Sequence, residues 1–180
     1  MLENFLVLIL VAVLAAIAFN HFITLRVEAE RVAMEQVLAE LRVAILQHAL
    51  HLKASGESID AANTNPVTWL PQPPPNYLGE LAGPDPANIP AGQWYFDTRD
   101  QLLVYRVDHE AYFDSPLAGP ARARFKLVTD TADTLRNGRL EAAPRDALDM
   151  NIKAVEPYTW RDRPLDVSAL AIWGVFGASP

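Results

Sequence analysis

Hydrophobic positions change their spacing along this chain, and each change predicts a different element. Residues 1–19, MLENFLVLILVAVLAAIAF, form an apolar run headed by one carboxylate, Glu3, and from Phe5 to Leu25 only Asn20, His21 and Thr24 interrupt it. At about 1.5 Å per helical residue this stretch covers roughly 30 Å, the thickness of one hydrocarbon core. It continues without Gly or Pro into Arg26–Ala54, where Val27, Met34, Leu38, Leu41, Ile45 and Leu52 recur at intervals of seven, four, three, four and seven. That spacing is a helical stripe. Glu28, Glu35, Arg42 and Lys53 fall on the opposite face, and Gly56 supplies a stop signal. The pattern predicts one helix from near Leu2 to Ala54, about 80 Å long. Its first half suits lipid, and its second half needs a partner to cover the stripe.

Residues 57–90 follow neither period, and the Pro73-Pro74-Pro75 run forbids helix and central strand alike. This is a Pro-rich connector. Trp69, Leu70, Tyr77, Leu78 and Leu81 are too apolar for a free linker and are expected to peg it against the folded head. Strand signals begin at Gln93: Trp94–Phe96 and Leu102–Val107 read as a hairpin joined by the polar Asp97-Thr98-Arg99-Asp100. Residues 121–128 alternate Arg122, Arg124 and Lys126 with Ala123, Phe125 and Leu127, which suits a strand with one wet and one core face. Met150–Trp160, interrupted by Pro157, is expected at a sheet edge. The stretch TDTADTLRNGRLEAAPRD reads as an exposed turn region, and the closing LDVSALAIWGVFGASP as a short strand or helix.

These elements predict an α+β chain in which a long N-terminal helix, membrane anchor plus amphipathic stalk, packs on a small antiparallel sheet of about four strands. The expected divisions are 1–25 for the membrane half of the helix, 26–55 for the amphipathic half, 56–91 for the connector and 92–180 for the β head. A chain of 180 residues leaves room for one head and not for two. The formal net charge of −7 argues against a nucleic-acid partner, because phosphate binding needs clustered cations. With no cysteine, disulfides, thiolate metal sites and cysteine nucleophiles are excluded.

The segment VAVLAAIAFN, residues 11–20, resembles the apolar run IGILAAIAIP of type IV pilins and pseudopilins. The order helix, long loop, antiparallel sheet is similar to theirs as well. The alignment places Glu3 on that family's buried Glu, and Asn20 where many members carry a helix-weakening Pro. The resemblance implies a structural subunit, not an enzyme, anchored in the bacterial inner membrane by a single pass. Its head would lie in the periplasm or in an extracellular filament, and its N-terminal helix would assemble with other pilin or pseudopilin subunits into a type IV pilus or type II secretion pseudopilus. Glu3 would then be the assembly residue, pairing with a cation such as a neighbour's terminal amine, where an unpaired carboxylate removed from water is costly. The family's leader is basic and ends in Gly before a Phe-like first residue, whereas Met1-Leu2 precedes Glu3 here. Arg26 and Arg31 are the nearest cations to the apolar run, and by the positive-inside rule they favour a cytoplasmic head, against the pilin topology.

Two other readings fit the same residues: a membrane-anchored envelope scaffold or binding protein that does not polymerise, and a secreted module cleaved after Ala18 at Ala16-Ile17-Ala18. The negative charge ahead of the apolar run disfavours cleavage. Catalytic signatures are missing: no nucleophile elbow, phosphate loop or glycine fingerprint occurs. No cofactor is expected. His48 and His51, three apart, lack an acidic residue to complete a metal set. Asp130, Asp133, Asn137 and Glu141 offer oxygen ligands for Ca²⁺ near Gly138, although their spacing fails an EF-hand. Trp69, Trp94, Trp160 and Trp173 are expected in the core rather than on a ligand.

Overall fold

In the computed structural model the described residues are 2–56, 63–129, 133–136, 139–142 and 150–161. Helix α1 runs from Leu2 to Ser55, and Gly56 ends it in the left-handed conformation, φ 72°. Ala and Leu, both strong helix formers, are the commonest residues of α1, and no Pro interrupts it. Every residue of the stripe read from sequence is buried: Val27, Met34, Leu38, Leu41, Ile45 and Leu52, joined by Ala44 and Ala49. Burying an aliphatic side chain of this size contributes about 1.5–3 kcal/mol, so the stripe is what holds the helix to the head.

The cover is a five-stranded sheet. Its strands are β1 (Tyr77–Leu81), β2 (Gln93–Asp97), β3 (Leu102–Arg106), β5 (Arg122–Thr129) and β8 (Met150–Ala154), in the spatial order β1-β2-β3-β5-β8. Short β4 (Phe113–Asp114) pairs with β9 (Thr159–Trp160) beside the sheet, and β6 (Asp133–Arg136) forms a hairpin with β7 (Arg139–Ala142). The fold is α+β, a helix on an antiparallel-rich sheet. Trp94 and Phe96 of β2, Leu103 and Tyr105 of β3, Phe125 and Leu127 of β5 and Ile152 of β8 meet the α1 stripe in one core. The first three strands expected from sequence are present, and β5 has the expected alternation, with Ala123, Phe125 and Leu127 buried; the fourth, Met150–Trp160, is broken around Pro157 into β8 at the sheet edge and β9 on β4.

The Pro-rich connector departs from expectation. It contains β1, which pairs with β2 in parallel, so the sheet is not wholly antiparallel. Alternation failed as a signal there because the outward position carries Leu78, 44% exposed, while Gly79 is turned partly inward. Pro73–Pro75 precede β1, which is an edge strand, as the proline rule requires. Trp69, Leu70 and Tyr77 do pack on the main core, and Leu81 packs on a second, smaller one, but Leu78 does not serve as a peg. Pro66 and Val67, not singled out from the sequence, are more deeply buried than any of them. They are held by Asn65, whose Oδ1 accepts from Val67 N (3.1 Å) and whose Nδ2 donates to Tyr77 Oη (2.9 Å) and Glu80 Oε1 (2.8 Å).

The second core lies on the sheet face away from α1, where Ile89 packs with Tyr95, Leu102 and Val104. Strands β2 and β3 are therefore buried on both faces, one by the helix and one by the end of the connector. The turn region at 129–146 also differs from expectation. It holds the β6–β7 hairpin, and the pairing Arg136↔Arg139 leaves two residues between the strands. Asn-Gly at those positions is a strong hairpin signal.

Candidate helix–head junction and assembly surface

Two features of α1 stand out: its apolar N-terminal half and the point where the helix meets the head. Val7–Ala15 is an unbroken apolar stretch with every side chain exposed, and Phe19, Phe22 and Leu25 continue it. At its end the Arg26 guanidinium folds over the Phe22 ring, 4.7 Å from the centroid. Among the described residues no helix is long and apolar enough to cross a membrane. Beyond the junction Val32, Val43, Leu46 and Leu50 remain exposed on the face of α1 turned from the sheet. Beside them a groove of about 580 Å³ lies between Ala39, Val43 and Ala44 of α1 and Leu70-Pro71 of the connector.

The junction begins at Val27, the first buried residue of the stripe, and closes at Glu30. One turn of α1 brings Glu30 opposite the end of β3 and the segment that follows it. Its carboxylate accepts four hydrogen bonds: at Oε1 from Tyr105 Oη (3.0 Å) and Asp108 N (2.7 Å), and at Oε2 from His109 N (3.0 Å) and His109 Nδ1 (2.5 Å). The Glu30 side chain is only 7% exposed, so these bonds take the place of water. Burial, and then the Glu30 charge, push the Tyr105 hydroxyl well above the ordinary tyrosine range, so it stays protonated and donating. Asp108 Oδ2 lies 3.9 Å from His109 Nδ1 and completes a cluster of three metal-ligand side-chain types.

Arg106, next along β3, reinforces the same segment. Its Nη1 donates to Val107 O and Ala121 O, each 2.9 Å, and its Nη2 is paired with Glu110. Glu30 thereby ties the helix to β3 and the segment after it, and Arg106 ties β3 to the chain entering β5. Sequence reasoning missed this cluster. Glu30 lies among Glu28, Arg31 and Glu35 on a charged stretch of helix, and its partners are 75–79 positions away.

The residues singled out from sequence do not converge on one site. Glu3 lies in the first turn of α1. His48 stacks on Trp69 at 4.3 Å between ring centroids, while His51 is exposed. Trp94 is in the core and Trp69 and Trp160 pack against it; Trp173 lies outside the described residues. Of the Ca²⁺ candidates, Asp130 and Asn137 also lie outside them. Asp133 lies on β6, registered against Ala142, and Glu141 on β7, registered against Thr134. No family model, no curated protein and no solved structure matches this chain.

Proposed function

We propose that this chain is a pilin-like or pseudopilin-like structural subunit. It inserts in the bacterial inner membrane through residues 1–25 and assembles through its N-terminal helix into a type IV pilus or type II secretion pseudopilus. The observation that carries the reading is the division of one continuous helix, Leu2–Ser55, into a half in which Val7–Ala15, Phe19, Phe22 and Leu25 are exposed and a half whose stripe is buried under a sheet. A greasy half-helix left uncovered by its own head requires lipid or other helices. Residues 5–25 match a hydrocarbon core in length, and Arg26, lying over Phe22, puts a long cationic side chain at the end of that stretch, where it can reach headgroups. The head then stands in the periplasm or on a filament, with no catalytic role. Glu3, near the start of the span, pairs with a cation of a neighbouring subunit and sets the register of the bundled helices.

Because the chain has no cysteine, single cysteines placed in the apolar half report helix neighbours without background. With Leu14→Cys in cells that carry the assembly machinery, oxidation is expected to give a crosslinked product between subunits, and Glu3→Gln is expected to abolish it. A product that survives Glu3→Gln overturns the role of Glu3. Membrane-embedded protein that yields monomer alone overturns polymerisation and leaves a membrane-anchored scaffold. Intact-mass measurement of protein from its native membrane reports processing and N-terminal methylation together.

A further inference from the structure

The geometry points to a divalent metal site of the zinc type at the helix–head junction, formed by Glu30 of α1 with Asp108 and His109 of the segment after β3. One ligand atom from each of the three side chains lies within 4.8 Å of the other two. A zinc ion holds nitrogen and oxygen ligands at about 2.0–2.2 Å, which sets neighbouring ligand atoms roughly 3.3 Å apart. The distances from His109 Nδ1, 2.5 Å to Glu30 Oε2 and 3.9 Å to Asp108 Oδ2, bracket that separation. Small side-chain rotations therefore bring all three onto one ion.

The donor set selects the metal class. One imidazole with two carboxylates suits zinc and its first-row neighbours, whereas Ca²⁺ and Mg²⁺ favour oxygen alone. The surroundings also divide as a metal site requires. Glu30 is nearly buried and fixed by Tyr105 Oη and the backbone N–H groups of Asp108 and His109, whereas the Asp108 side chain is 61% exposed and leaves an approach for the ion and a water ligand. Binding replaces the His109 Nδ1 hydrogen bond to Glu30 with coordination and leaves the other three bonds to the carboxylate in place. Ligands 78 and 79 positions from Glu30 would then lock the first head-packed turn of α1 to the sheet.

The test is on the full chain in mild detergent, stripped with a chelator and dialysed against Zn²⁺. One equivalent is expected to be retained, and a hundredfold excess over Kd is expected to raise Tm by about 5–10 °C. His109→Ala and Asp108→Asn are each expected to lose both effects; Asp108→Asn keeps the backbone donor to Glu30, so its fold does not depend on the lost carboxylate. His51→Ala, an exposed helix histidine outside the cluster, is expected to keep them. No retained metal and no shift in the unsubstituted chain overturns the site. So does a shift that persists in His109→Ala or Asp108→Asn, or one that disappears in His51→Ala.

Discussion

Replacing Glu30 with Ala removes the acceptor of four hydrogen bonds at once, and the structure gives the size of the loss. The donors are the Tyr105 hydroxyl, the Asp108 and His109 amides and His109 Nδ1. Asp108 is exposed and its amide can turn to water, whereas Tyr105 is 4% exposed and its hydroxyl cannot. A buried donor left without a partner costs about 1–3 kcal/mol, and a hydrogen bond to a charged group contributes about 1.5–3 kcal/mol. The expected cost of Glu30→Ala is therefore about 3 kcal/mol, or a fall in Tm of roughly 6–12 °C for a chain of this size. Tyr105→Phe alone leaves Glu30 three donors and costs about 1–2 kcal/mol. In the double variant no orphaned hydroxyl remains, so the two losses should fall short of additive by about 1.5–3 kcal/mol. Urea melts of the metal-free chain, followed by the fluorescence of buried Trp94, 4.8 Å from the Tyr105 ring, measure the whole cycle. Losses that add to within about 0.5 kcal/mol would refute the reasoning, because the carboxylate and the hydroxyl would then act independently.

Other substitutions probe the remaining layers of the structure. Leu41→Ala, at a site with no solvent exposure, is expected to cost about 2–5 kcal/mol in the same melts. Leu46→Ala, half-exposed on the far face of α1, should cost under about 0.5 kcal/mol; equal losses would mean the stripe is misplaced. Val13→Arg puts a charge near the middle of residues 5–25, costs about 2.5–3.5 kcal/mol of insertion and should reduce the fraction of protein resisting carbonate extraction from membranes. An unaltered fraction counts against the span. Burial first, and in part neighbouring carboxylates, raise the ionisation of Tyr77, Tyr95, Tyr105 and Tyr158 above that of the unfolded chain. Unfolded tyrosines lose their protons near pH 10 while these keep theirs, so stability from this source is complete below that pH and falls as pH rises above it. Phenolate absorbance should accordingly appear with unfolding, and ionisation of all five tyrosines at pH 10 in a folded protein would contradict it.

The long helix and the central strands were legible because local pattern and final environment agree. Met34, Leu38, Leu41 and Ile45 share one helical face in sequence and one core in space, and Ala123, Phe125 and Leu127 alternate inward as a half-buried strand must. Strand β1 was illegible because Leu78 is exposed and Gly79 half-buried, which breaks an alternation that Tyr77, Glu80 and Leu81 otherwise keep. Its strand character comes from pairing with β2, and Tyr77↔Trp94 joins residues in different segments. The β6–β7 hairpin was readable from Asn137-Gly138, a signal outweighed by the polar composition around it.

By itself the sequence determined where the helix runs, which face of its second half is apolar, that its first half carries the apolar stretch Val7–Ala15, and that a small sheet follows. Those properties depend on spacings of a few residues, which one-dimensional pattern reports directly. Only the tertiary structure decided that the end of the connector builds a second core with Ile89 on Tyr95, Leu102 and Val104, and that Glu30 rather than its acidic neighbours is drawn out of water. Both rest on partners distant along the chain. The identity of a buried carboxylate depends on which donors fold against it, and Tyr105, Asp108 and His109 reach Glu30 only when the sheet closes on the helix.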